Sequence, residues 1–473
     1  MLSTRNWMGL FTYRWKLKTF SKSIHERFCH TSLAESYISE GSVYVHWPYC
    51  RQRCTYCNFV KFIPHQKSQL TLQNEVLEDA LVEELQNALR SSYISTVKSV
   101  FFGGGTPSLA RPHLIEKIMN AVQGTCSITK NLEITLEVNP TPQESVKLKD
   151  FLSAGINRVS LGIQALDDSS LKLFNRDQSV EEALKAIEYA KKFFPGRVSL
   201  DLIFGRPRQT YERWMDELHT VLNACDDHLS LYQLTVERGT KLHRQVAAGE
   251  VALPEDDAMA VLYEAAVSLL HDAGFKRYEV SNFARGSEAE CLHNKLYWKN
   301  SQYIGVGPGA HSRVVLKNDT LLKSESLKHH HTRDQDKTVD LGVKVNSTHK
   351  NLLTRKFCRA AIVNAADPVS WLREVQFHGT GTRNIKFQTR LDILHEYVAS
   401  GLRTSEGITA DIWQSFCPWR TLVDIFQEDT LWLQEKNLLD ISDTYMKATE
   451  LGLNVLDYIL PYLINIVEKE LNR

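Results

Sequence analysis

Three of the nine cysteines in this 473-residue chain, Cys50, Cys54 and Cys57, fall within eight positions and spell C-x3-C-x2-C. Three thiolates on one short loop can hold three corners of a cubane [4Fe–4S] cluster. One iron is then left without a protein ligand and open to a small chelating molecule. A closed zinc site of Cys3His type, with His46 as the fourth donor, is the competing reading, although zinc more often takes two separated ligand pairs. Either way the clustering points to metal ligation in a reducing compartment rather than a disulfide framework. A second unusual run is Gly103, Gly104, Gly105, Thr106 and Pro107. Glycines let a backbone approach a ligand that a Cβ would block, and a plain glycine turn is the alternative.

Such residues need a frame. Short apolar runs at 43–47, 97–102, 132–138, 158–163, 198–204 and 229–234 read as strands, and helical patterns at 75–89, 113–122, 143–152, 180–193 and 211–222 separate them. This alternation predicts a parallel sheet with right-handed crossovers, wound into a full or partial barrel. The cysteines follow the first strand and the glycines the second. Glu137 and Asn139 end the third, Gln164 follows the fourth, Asp201 and Gly205 mark the fifth, and Gln233 and Glu237 close the sixth. Strand C-terminal ends are where a parallel α/β barrel builds its active site.

Lys+Arg and Asp+Glu both number 56, so no global field draws in nucleic acid. With 43% hydrophobic and 24% charged residues the composition is ordinary for a globular chain, and its length suggests two or three domains. No apolar run is long enough for a membrane span. Residues 1–34 carry six Lys/Arg against one acid, the composition of an organelle transit peptide, with a plain basic tail as the alternative. The stretch 315–354, with His329, His330 and His331, is polar and reads as a surface insertion in which the histidines are solvated. From 391 onward a mainly helical C-terminal domain is expected.

The cysteine spacing resembles the defining signature of the radical S-adenosylmethionine (SAM) family, and the glycine run resembles that family's second-strand motif. Glu137-Val-Asn-Pro, Gly155 to Gln164, Asn175 to Gln178, Asp201 to Gly205 and Leu231-Tyr-Gln-Leu are similar to the branch that includes oxygen-independent coproporphyrinogen III oxidases, over about 42–311. The resemblance implies an α/β fold, a partial (β/α)6 barrel with a winged-helix-like C-terminal domain. It also implies a cluster on Cys50, Cys54 and Cys57, and SAM contacts from Tyr44, Tyr56, Gly104, Gly105, Thr106, Glu137, Gln164, Arg176 and Asp201. Carboxylates suit ribose hydroxyls, and Arg176 suits the SAM carboxylate.

Two features discriminate within the branch. The oxidases resemble C-x3-C-x2-C-x-C, and here Phe59 stands in the place of the last Cys. The run His293-Asn294-x-x-Tyr297-Trp298 is similar to a motif of HemW-type heme chaperones. That likeness implies heme held at His293, with Asn294, Tyr297 and Trp298 beside it and Cys291 as an alternative ligand. It further implies a mitochondrial chaperone passing heme to client heme proteins of the respiratory chain, the alternative being an active radical SAM enzyme of the oxidase type. The expected division is a transit peptide at 1–38, a barrel at 39–285, a heme-motif segment at 286–314, an insertion at 315–360 and a helical domain at 361–473. Arg206 and Arg208 stand where relatives have Leu and Gly, and Gln178 where many have His, which leaves proton transfer at that position unsupported.

Overall fold

The computed structural model describes residues 35–63, 70–317 and 358–471, so all but the last four residues of the expected transit peptide and most of the polar insertion lie outside the described residues. Six strands, β1 (Glu40–Trp47), β2 (Thr96–Gly104), β3 (Ser127–Val138), β4 (Arg158–Gln164), β5 (Val198–Phe204) and β6 (His228–Gln233), lie side by side in sequence order. Each pairs in parallel with the next, as the strand–helix alternation predicts.

Alternation along these strands divides their two faces. Val43, Val45 and Trp47 of β1, and Val198, Leu200, Leu202 and Phe204 of β5, are buried in one core with the covering helices. The helix Val180–Phe193 is representative. Ser179 and Glu182 form a capping box at its start, and Ala183, Ala186, Ile187 and Ala190 form its buried stripe. The intervening strand positions are polar: Glu133, Thr135 and Glu137 on β3, Arg158 and Ser160 on β4, Ser199 and Asp201 on β5, His228 and Ser230 on β6. They bond across the concave side, as Ser160 Oγ does to Asp201 Oδ2 at 2.8 Å and Arg158 Nη2 to Ser199 Oγ at 3.0 Å. One face is therefore a conventional core and the other a polar chamber.

The sheet is wider than the six expected strands. Beyond β6 lie β8 (Asn282–Ala284) and β7 (Lys276–Glu279), both antiparallel. Beyond β1 lie β9 (Gln302–Val306), parallel to it, and then β10 (His311–Leu316), β11 (Cys358–Asn364) and β12 (Thr382–Phe387) in antiparallel order. β10 and β11 flank the insertion and continue the barrel's sheet. A separate core, mainly helical, begins only at Ile393 and includes a small antiparallel sheet of Ile408–Thr409, Tyr445–Ala448 and Leu439–Ile441. A boundary at 361 would cut through β11.

The N-terminal boundary differs as well. Tyr37 packs on the C-terminal core with its ring 5.3 Å from Phe416, and its hydroxyl donates to Asn300 O at 3.0 Å. Gln302 Nε2 in turn donates to the Tyr37 and Ile38 carbonyls. A chain starting at Glu35 is expected to unfold at the same temperature as the whole, whereas Tyr37→Ala is expected to cost about 1–3 kcal/mol through lost packing. Thermal unfolding of the two proteins checks this.

Candidate functional site

Pro48 follows the last residue of β1, and the chain turns into the cysteine loop. The loop is tied at both ends: Phe62 N donates to Pro48 O at 2.8 Å and Cys50 N to Phe62 O at 3.0 Å. Midway, Thr55 N bonds Phe174 O and Leu242 N bonds Thr55 O, which fastens the loop to two helices on the barrel's far side. Gly105 N bonds Trp47 O at 2.6 Å and Thr106 N bonds Tyr49 O at 2.8 Å. A Cβ on Gly105 would stand 2.7 Å from Tyr49 O, and one on Gly104 would stand 2.6 Å from the His46 ring. The glycine run therefore serves first to let β2 lie against the cysteine loop, a closer constraint than the ligand approach read from sequence.

Eleven of the expected site residues line one cavity of about 210 Å³ at the strand C-terminal ends: Cys50, Cys54, Tyr56, Cys57, Gly104, Gly105, Thr106, Glu137, Gln164, Arg176 and Asp201. Asn139, Gln233 and Glu237, read as strand-end residues, and Gln178 also line it, whereas Ser160, Gly162 and Tyr232 were not singled out in the sequence. Ser160, Gly162 and Tyr232 occupy the same inward alternation as Glu137 and Asp201, a signal readable along each strand. Tyr44 sits at the edge of this group: its hydroxyl bonds His46 Nδ1 at 3.2 Å, and its ring and the Glu137 carboxylate both flank Gly103.

The donors suit an iron–sulfur cluster and an anionic ligand. Thr106 Oγ1 donates to Cys50 Sγ at 3.4 Å, and Arg176 Nη1 to Cys54 Sγ at 3.6 Å. Burial pushes the Cys50 thiol up to about 11. At Cys54 burial acts the same way, but the charges of Arg176 and Lys61 outweigh it and leave that thiol below its ordinary range. His46 is committed elsewhere: its Nε2 donates to Val60 O at 2.8 Å, leaving Nδ1 to accept from Tyr44. Among the described residues no three His, Cys, Asp or Glu side chains converge on a single ion. A cubane spreads its three thiolates over three irons and needs no fourth donor from His46.

Arg176 Nη2 donates to Asn139 Oδ1 at 2.9 Å and Gly162 O at 2.7 Å. Its buried Nε has no partner among the described residues, and the guanidinium has no paired carboxylate, so it can take up an anionic group from the cavity. Across the cavity Glu137 Oε2 accepts from Gly104 N at 3.2 Å. Burial, with the Asp201 charge behind it, pushes the Glu137 carboxyl from 4.5 up to about 8. A carboxyl raised in this way keeps its proton longer in the folded chain than in the unfolded one. Its contribution to stability is full below pH 4.5 and is lost as pH rises through about 8. Glu137→Gln should remove this dependence and gain about 2–4 kcal/mol relative to wild type between about pH 5 and about pH 8, read from urea unfolding of the cluster-free protein.

The histidine motif is placed elsewhere. The helix Leu292–Trp298 plugs the floor of the barrel, with Leu292 N and His293 N donating to the buried Glu133 carboxylate at 3.1 and 2.9 Å. His293 is 2% exposed, its Nδ1 bonds Ser99 Oγ at 2.9 Å, and its ring lies between Phe101 and Tyr297, each 4.9 Å away. Burial lowers it to about 3, so the imidazole is neutral. Asn294 shares the helix, Tyr297 packs on Tyr303, and Trp298 lies under Arg403. Cys291 is 4% exposed, and burial pushes its thiol far up. Both side chains are enclosed in this conformation, and His293 Nε2 has no hydrogen-bond partner among the described residues.

The two loop arginines also resolve. Arg206 is buried in an ion pair with Glu217 and lies 6.0 Å over the Trp214 ring, and Arg208 takes a left-handed φ of 61°. Gln178 donates to Ile163 O at 3.3 Å.

The pattern of the radical SAM superfamily matches residues 44–221, which contain all eleven cavity-lining candidates and begin at Tyr44, within strand β1. Radical S-adenosyl methionine domain-containing protein 1, mitochondrial, of Danio rerio is 39% identical over 93% of this chain and 91% of its own length. The chain belongs to the radical SAM family. Heme chaperone HemW of Escherichia coli is 31% identical over 79% of this chain and 93% of its own length. The solved structure of Escherichia coli coproporphyrinogen III oxidase superposes with a TM-score of 0.67, covering 97% of this chain and 98% of that one at 18% identity, which shows a shared fold. Membership of the radical SAM family implies SAM and a [4Fe–4S] cluster, the two groups that the donor set fits. No helix among the described residues is long and apolar enough to cross a membrane.

Proposed function

We propose that this chain is a mitochondrial heme chaperone that carries a SAM-bound [4Fe–4S] cluster in its barrel mouth and hands heme to client heme proteins of the respiratory chain. The observation that carries the reading is the convergence of Cys50, Cys54, Cys57 and the unpaired Arg176 on one cavity. One relative is named as mitochondrial and another as a heme chaperone, which supports the reading. The basic N-terminal segment has the composition for that destination.

Cys50, Cys54 and Cys57 hold the cluster, which when bound supplies one-electron chemistry. Arg176 binds the carboxylate of SAM and lowers the Cys54 thiol. Glu137 and Asp201 accept from ribose hydroxyls, and the close fit of Gly104 and Gly105 keeps the loop and the second strand in register. Tyr56, Thr106 and Gln164 complete the wall. Phe59, in place of the oxidases' further cysteine, argues against coproporphyrinogen oxidation.

Hemin titration of the reconstituted protein, followed by transfer to an apo-cytochrome and run beside a coproporphyrinogen turnover assay, tests the reading. A stable heme complex that transfers, with no decarboxylation in the presence of SAM and reductant, is expected. Turnover to protoporphyrinogen would replace it with the enzyme.

A further inference from the structure

The plug helix touches more than the barrel floor. His293 stacks on Phe101 with ring planes at 27°, and Phe101 stacks on Tyr44 at 6.2 Å between centroids and 26° between planes. The Tyr44 hydroxyl then donates to His46 Nδ1 at 3.2 Å, and His46 Nε2 donates to Val60 O at 2.8 Å. Val60 closes the loop that bears the three cysteines. Gly104 keeps the space beside the His46 ring clear, since any Cβ there would strike it. At its other end the plug helix is held by the C-terminal unit. Trp298 lies 5.3 Å under the Arg403 guanidinium, and Lys295 and Lys299 pair with Glu406 at 3.1 and 2.5 Å.

We infer that His293 is a positioning residue for the cysteine loop, acting through Phe101, Tyr44 and His46. The column consists of flat rings packed face to face and two directional hydrogen bonds, so it has little freedom to absorb a displaced member. The loop's other ties are to the glycine run and to the helices beyond Thr55; the His46 bond to Val60 is a side-chain anchor that reaches it from inside the barrel. Through the plug helix, the C-terminal unit and the cysteine loop share one packed path.

Amide hydrogen exchange on the cluster-free full chain reads it directly, without relying on the thiols as cluster ligands. His293→Ala should raise exchange in residues 48–62 about tenfold while residues 413–426 of the C-terminal core stay protected. His293→Phe keeps the stack and should stay within about twofold of wild type. Tyr44→Phe keeps the ring and deletes only the bond to His46, so it should loosen the same segment; it decides the question even where His293→Ala fails to fold. In reconstituted protein the reduced cluster's electron paramagnetic resonance signal should shift in His293→Ala and Tyr44→Phe and not in His293→Phe. This arm alone rests on the proposed ligand set. Wild-type exchange at 48–62 in both His293→Ala and Tyr44→Phe would overturn the inference.

Discussion

Cys54→Ala is expected to yield a folded chain that holds no iron–sulfur cluster: iron and acid-labile sulfide should fall from about four of each per chain to under about one. The loop's backbone ties run through Cys50, Thr55 and Phe62, none of which needs the Cys54 side chain, so the fold should survive. The cluster cannot, because two thiolates leave two irons without protein ligands. The substitution also removes the sulfur that Arg176 faces at 3.6 Å, leaving that guanidinium with Asn139 and Gly162 alone. Arg176→Ala separates the two effects. It should retain iron but weaken SAM by about 1–3 kcal/mol, the cost of a lost charged hydrogen bond. Iron, sulfide and SAM-binding measurements on the two variants check both. One zinc per chain with no sulfide in the wild type would return the site to a structural role.

Glu84→Ala should be the most destabilising single change away from the cavity, by about 3–5 kcal/mol in urea unfolding. Glu84 lies in the helix Leu70–Ser91 and is 3% exposed. Its carboxylate accepts from Gly307 N at 2.8 Å, Gly381 N at 2.6 Å, Trp371 Nε1 at 3.0 Å and Asn364 Nδ2 at 3.0 Å. One side chain thus ties the helix behind β1 to the turn after β9, the end of β11 and the start of β12. Burial raises its carboxyl to about 7 against these four donors. Truncation leaves three of them buried and unsatisfied, while Asn364 Nδ2 keeps only its bond to Gly307 O at 3.0 Å. Glu84→Gln keeps the volume but turns one acceptor into a donor facing donors, so it should recover only part of the loss. A cost below about 1 kcal/mol for Glu84→Ala would mean that water replaces the carboxylate.

Why Glu84 escapes notice in the sequence is instructive. Nothing within the helix distinguishes it from Glu83, and its partners lie more than two hundred residues away. The strands β9 to β12 are hidden for a related reason: β9 runs into a turn rich in Gly and Pro, and β11 resumes only after the long polar insertion. Neither has a helix of the barrel's rhythm beside it. The histidine motif shows the same limit in the site itself. A neutral imidazole flanked by aromatics is a sound ligand on paper, and the same residues make an equally sound plug once Glu133 and Ser99 surround them.

By itself the sequence determined what is local or periodic. The spacing of Cys50, Cys54 and Cys57 places three thiols on one loop, because three and two intervening residues cannot carry them far apart. The strand–helix alternation dictates a parallel sheet whose C-terminal ends share one side, and this is why Glu137, Gln164, Arg176 and Asp201 reach the same cavity as the cysteines. Tertiary structure decided which face each remaining residue meets. It turned Tyr44 and His293 inward as packing partners, set the glycine run against the cysteine loop and joined the C-terminal unit to the barrel through Trp298 and Tyr37. Those outcomes depend on contacts between segments far apart in the chain, and burial, which gives an imidazole or a carboxylate its role, exists only after such contacts form.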